Sequence, residues 1–133
     1  MAAGKYSFTI EQGATVDFEI AYKDLNGDPV DLTGYDARMQ LRPNPGSEII
    51  YLTLSSSLGP CGTGLNISGS TGINPPTSGT IGIYISAASS SLLSFNQASY
   101  DLEIASGSGN CAVVTRLLEG KVQLSQEITL GSF

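Results

Sequence analysis

Three observations predict an all-β chain that folds as a β-sandwich. Apolar and polar residues alternate over many short stretches, clusters of Gly, Pro, Asn and Ser separate those stretches, and only one short segment lacks strand patterning in a helical way. The 133 residues suit one domain, 1–133. A chain of this size buries roughly two-thirds of the surface its unfolded form exposes, so neither a metal nor a disulfide is required for folding. A closed barrel is the alternative arrangement of the same strands.

The elements follow in order. KYSFTI sets Tyr6, Phe8 and Ile10 on one face. ATVDFEIAY sets Val16, Phe18, Ile20 and Tyr22 inward against Asp17 and Glu19. YDARMQLR points Ala37, Met39 and Leu41 inward and Arg38, Gln40 and Arg42 outward. EIIYLTL, residues 48–54, is a strand apolar on both faces. GTIGIYIS alternates Ile81, Ile83 and Ile85, and SYDLEIA alternates Tyr100, Leu102 and Ile104 against Asp101 and Glu103. AVVTRLLEGKVQL is a long last strand whose period slips near Glu119 and Gly120, the mark of a β-bulge. That makes about seven strands. SAASSSLL, residues 86–93, is the helical candidate, one turn linking two strands. Residues 55–79 form a long Gly/Ser/Pro/Thr-rich connection, expected to be an arm ordered by a neighbour or an extra hairpin around GLNIS. ASGSGN, residues 105–110, reads as a hairpin tip.

Composition narrows the function. Twelve acidic residues oppose six basic ones, a net charge of −6. Nucleic-acid binders carry basic patches that displace condensed counterions, and an anionic membrane asks for the same, so neither is an expected partner. No apolar run has the length of a membrane span, and the N-terminal residues lack the apolar core of a secretory signal. The chain has no histidine, which removes the commonest general base and imidazole ligand. Cys61 and Cys111 make a poor zinc site without it; they either pair across two loops or stay free, and free thiols fit a chain made in a cytoplasm.

Tests for sites give turns and faces rather than chemistry. Asp24, Asn26 and Asp28 are spaced like the first ligands of a calcium loop, but Pro29 stands at the sixth position and Tyr35 at the twelfth, where such a loop needs Gly and Glu. Asn26 and Gly27 instead suit a tight turn, and DLTGY a second one with Asp31 or Thr33 bonding local backbone. The carboxylate pairs Asp17/Glu19 and Asp101/Glu103 lie on polar strand faces that are usually solvated, and Asp101 or Glu103 is expected to pair with Arg38 or Arg42 on a neighbouring strand rather than to serve glycoside hydrolysis. No nucleophile elbow or phosphate loop occurs, and a Ser-His-Asp triad is impossible. No catalytic residue, metal or cofactor is expected.

QGATVDFEIAYKDLNGDPVDLTGYDARMQLR, residues 12–42, carries a lead-in, a strand, a double turn and a second strand in an order that resembles the opening of small phage tail and baseplate β-sandwich proteins. Among these is the N-terminal immunoglobulin-like domain of siphophage upper baseplate proteins. GTIGIYIS, YDLEI and VTRLLEGKVQLSQEIT agree with the later strands of that group, so the resemblance spans most of the chain apart from 55–79. Strand and turn motifs specify a fold more than a function. The resemblance implies an immunoglobulin-like antiparallel β-sandwich and a non-enzymatic subunit of a tailed-phage virion, at the tail, baseplate or neck. It implies other virion proteins and further copies of itself as partners, and assembly in the host bacterial cytoplasm. A capsid cement protein is the nearest rival, and a host-surface carbohydrate- or calcium-binding module is the rival of another class. The interface candidates are Ile49 and Tyr51 in the strand apolar on both faces, Leu65 and Ile67 in the long connection, and Phe133. The residues before Tyr6 and the tail SQEITLGSF are candidate contact arms.

Overall fold

The computed structural model describes residues 4–67, 78–107 and 111–130. In chain order the strands are β1 (Gly4–Lys5), β2 (Phe8–Glu11), β3 (Val16–Ala21), β4 (Asp36–Arg42), β5 (Leu52–Ser55), β6 (Gly64–Asn66), β7 (Thr80–Ile85), β8 (Gln97–Ser106) and β9 (Val113–Ser125). A 3-10 turn, Pro60–Gly62, precedes β6, and the helix α1, Ala87–Ser91, joins β7 to β8. One sheet runs β1-β9-β8-β4-β5, with β2 continuing the line of β1 along β9, and the other runs β3-β7-β6.

The strands form a sandwich and not a barrel: among the described residues, no strand pairing joins the two sheets. The order is immunoglobulin-like: β3, β7 and β6 stand where strands B, E and D do, β9, β8 and β4 where G, F and C do, and β5 is the added C′ strand. The pairing is antiparallel except at the N-terminal edge, where β1 and β2 run parallel to β9. The seven expected strands become nine because KYSFTI divides into β1 and β2 and because the long connection contains β6.

Strand period sets the core. Ala37, Met39 and Leu41 of β4, Ala98, Tyr100, Leu102 and Ile104 of β8, and Ile81, Ile83 and Ile85 of β7 are buried between the sheets. β5 is shorter than expected. The Ser47 hydroxyl accepts the Ile49 N–H at 3.1 Å and Arg42 holds the Ser47 carbonyl, so the chain turns there and pairing with β4 starts only at Leu52. In the long connection, Leu65 of β6 pairs with Ile83 and is fully buried. Residues 68–77, and 108–110 of the expected hairpin tip, lie outside the described residues.

The expected bulge near Glu119 and Gly120 lies a little upstream. The β8/β9 register steps from Leu102↔Leu118 to Glu103↔Arg116, which leaves Leu117 as the extra residue. Gly120 is a regular inward position without a side chain, opposite Tyr100. The phenol of Tyr100 fills that place and donates to the Tyr6 carbonyl at 2.5 Å.

Candidate assembly surfaces

The acidic turn after β3 uses its carboxylates locally. Asp24 Oδ1 accepts the N–H groups of Asn26 at 2.9 Å and Asp28 at 3.0 Å, and Gly27 has φ 84°. Lys23 and Pro29 form a bridge that closes this turn. In the next turn Asp31 Oδ1 accepts the Thr33 N–H at 2.9 Å, and hydrogen bonds from the Thr33 side chain and backbone hold the Asp31 carboxyl below its usual range. Both segments are self-bonded turns. Among the described residues, no group of three His, Cys, Asp or Glu side chains comes together as a metal cage.

The outer face of the β1-β9-β8-β4-β5 sheet gathers Lys5, Arg38, Arg42, Arg116 and Lys121, five of the chain's six cations. Cross-strand register explains how they are partnered. Glu103 lies between Arg38 and Arg116, and Arg38 Nε meets Glu103 Oε1 at 2.8 Å. Asp101 lies between Gln40 and Glu119. Arg116 reaches Asp101 at 3.4 Å and Glu119 at 3.3 Å, and Lys5 pairs with Glu119. Desolvation, with the nearby Glu103 charge, raises the Asp101 pKa, and the Arg116 and Arg38 charges oppose that. The hydrogen bond and charge of Lys5 lower the Glu119 pKa. In the third row Ser99 stands between Arg42 and Lys121. Arg42 donates to Gln40 Oε1 at 3.2 and 2.7 Å, and Lys121 Nζ donates to Ser99 Oγ at 3.0 Å. The loop through Asn44, Pro45 and Gly46 walls this face into an open concavity of about 530 Å³. The expected Arg38 pairing is therefore present, and Arg42 serves the loop instead.

The five sequence-derived interface candidates separate. Ile49 is 61 % exposed. Tyr51 is half-buried and stacks on Phe95 with ring centroids 4.7 Å apart. Ile67 is half-buried against the core. Leu65 is a correction: its side chain is at 0 % exposure inside the sandwich, because pairing with β7 turns it inward, and it offers a partner nothing. Phe133 lies outside the described residues. Cys61 and Cys111 are both free and exposed.

The structure adds one surface that the interface candidates lacked: Val113 and Val114 open β9 with exposed side chains. Ile128 and Leu130, in the tail already read as a candidate contact arm, are exposed. Among the described residues β3 comes last in its sheet, a place that carries no signal in its own residues, because it is defined by which strands lie beside it. No protein-family model and no curated protein matches the chain.

Proposed function

We propose that this chain is a non-enzymatic structural component of a tailed-phage virion, joining protein to protein at the tail, baseplate or neck. The observation that carries the proposal is that residues 12–42, which bear the resemblance, supply the β2–β3 turn, β3 in one sheet, the double turn and β4 in the other sheet of an immunoglobulin-like sandwich. Assembly has surfaces to use: among the described residues, the sheet edge at β5 and a broad face where cations and carboxylates interleave. Its partners in this reading are other virion proteins and further copies of itself.

Copy number tests the proposal, measured by quantitative mass spectrometry of purified particles against the major capsid protein. A small multiple of three or six, on the order of ten copies, is expected for a tail or neck component, because closed cyclic symmetry fixes the count. Parity with the capsid protein would make the chain a cement protein. Absence from the particle would overturn the virion reading.

A further inference from the structure

The cross-strand rows of the cation-bearing face follow a pattern that breaks once. In the first row Glu103 stands between Arg38 and Arg116, one carboxylate between two guanidinium groups. In the third row Ser99 stands between Arg42 and Lys121, so cations flank a centre that carries no charge. Among the described residues, no carboxylate pairs with Arg42 or Lys121. Their partners are neutral. Gln40 Oε1 accepts from Nε and Nη2 of Arg42, and the Ser47 carbonyl accepts from Nη1, which leaves one N–H on each terminal nitrogen. Lys121 Nζ donates to Ser99 Oγ and keeps two N–H groups, while the Ser99 hydroxyl, accepting there, keeps its own proton to give. The row is a set of donors without an anion. Arg42 and Ser99 line the concavity beside the ladder of Arg38, Glu103, Arg116 and Asp101.

The charge that this row lacks is present elsewhere on the chain. Asp24, Asp28 and Asp31 crowd the double turn after β3, all exposed, and none pairs with a cation among the described residues. Asp24 and Asp31 each turn a carboxylate oxygen to local backbone, whereas Asp28 joins the turn through its backbone N–H and carbonyl. Leu25, in the same turn, is 89 % exposed. The double turn leads into β4 at Asp36, and the row lies at the other end of β4, at Arg42. Those two ends stand roughly 20 Å apart at the rise of a strand. A chain therefore cannot bring its own turn to its own row, but two copies can.

We propose that the acidic turn of one copy of this chain seats in the concavity of the next, with the Asp28 carboxylate over Ser99 between Arg42 and Lys121 and Leu25 against the wall at Pro45. Asp28 then takes in the third row the place that Glu103 holds in the first. The two surfaces differ and lie at opposite ends of β4, so the contact is head-to-tail, and it builds a ring where its rotation closes. Complementary charge sets the register of the contact, and the exposed leucine adds apolar burial. The inference rests on the assembly reading and deepens it by naming the self-contact. It is tested on the purified chain, so it can fail while the virion reading stands, and the reverse.

The test is sedimentation equilibrium of the full chain, which should self-associate with a dissociation constant that rises with salt. Leu25→Ser with Asp28→Asn removes the turn's side of the contact and should raise that constant by roughly tenfold or more. Ser99→Glu supplies the central carboxylate from within the row and should weaken association as much, with the melting temperature kept or raised because it repeats the pairing of the first row. Lys121→Glu, at an exposed position, should weaken association too. The turn variant mixed with Ser99→Glu should form a heterodimer and nothing larger, because each keeps the surface that the other has lost. A monomeric full chain, association that tightens with salt, any of these variants associating as the unaltered chain does, or a mixture that stays monomeric would each overturn the proposal.

Discussion

At the scale of single residues, Gly120 decides how the N-terminal strand sits on β9. A Cβ at Gly120 would stand 2.1 Å from the Tyr6 carbonyl oxygen and 3.2 Å from the Tyr100 ring. The nearer neighbour is backbone and cannot rotate aside, so Gly120→Ala should push β1 off the sheet and cost about 2–3 kcal/mol in a urea melt. A melt unchanged by Gly120→Ala would mean that this strand contributes little. Burial, and then the neighbouring Tyr6, push the Tyr100 pKa up to about 12. The protonated phenol is the form the fold holds. That contribution is complete below the unfolded value of about 10 and is lost as pH rises through about 12. Tyr100→Phe should therefore lose about 1 kcal/mol at neutral pH, the worth of one hydrogen bond, and flatten the alkaline fall in melting temperature. Cys61 is the one non-glycine residue at positive φ among those described, at 57°. Its side chain is exposed and unbonded to Cys111, so Cys61→Gly relieves backbone strain at no packing cost and should stabilise the chain by about 0.5–1 kcal/mol. The Gly-rich run around Cys61 signalled a turn, but which residue takes the left-handed conformation depends on where the chain must enter β6.

At the scale of elements, the helix is held by serine hydroxyls rather than by apolar packing of its own. Ser86 caps it by accepting the Ser89 N–H at 3.2 Å. Ser90, fully buried, donates to the Ala14 carbonyl at 2.8 Å and accepts the Gly13 N–H at 3.1 Å, which ties the helix to the β2–β3 turn. Ser90→Ala leaves both backbone groups without that partner and should cost about 1–3 kcal/mol, whereas Ser91→Ala, on the exposed side, should cost far less. Comparing the two melts separates the tie from general helix propensity. SAASSSLL was legible as one helical turn because serine caps helices and the strand period stops there. The long alternating strands were legible for the same reason: a period of two names the buried face without further context. β6 was legible only as a suggested hairpin, since three residues with a single inward leucine make too short a period. The Glu119 and Gly120 slip was misplaced because two effects overlap there, an extra Leu117 and an inward glycine whose space another residue fills. Neighbour relations were the least legible. VDFEIA and YDLEIA alternate alike, yet one became the edge strand β3 and the other the central strand β8. Alternation fixes a strand's faces and is silent about who lies beside it.

At the scale of the whole molecule, charge and edges compete to decide where copies meet. The chain carries −6 overall, yet five of its six cations lie on one sheet face, where Arg38, Arg116 and Lys5 already have carboxylate partners. Two copies of an acidic chain repel at long range, and that repulsion is screened once the Debye length falls from about 30 Å at 0.01 M salt to about 10 Å at 0.1 M. A contact made by exposed apolar side chains, such as those of Ile128 and Leu130, is one that salt leaves nearly intact. Self-association through such side chains should therefore tighten as salt rises through this range, by weakening the repulsion alone. An interface built on the cation-bearing face would behave oppositely, because its attractive pairs are screened along with the repulsion. Sedimentation equilibrium at the two salt concentrations, on the full chain, reads the sign directly. A dissociation constant that falls with salt places the self-contact on apolar side chains. One that rises places it on the ladder of Arg38, Glu103, Arg116 and Asp101, and Arg38→Gln would then weaken association where Ile128→Asp would not.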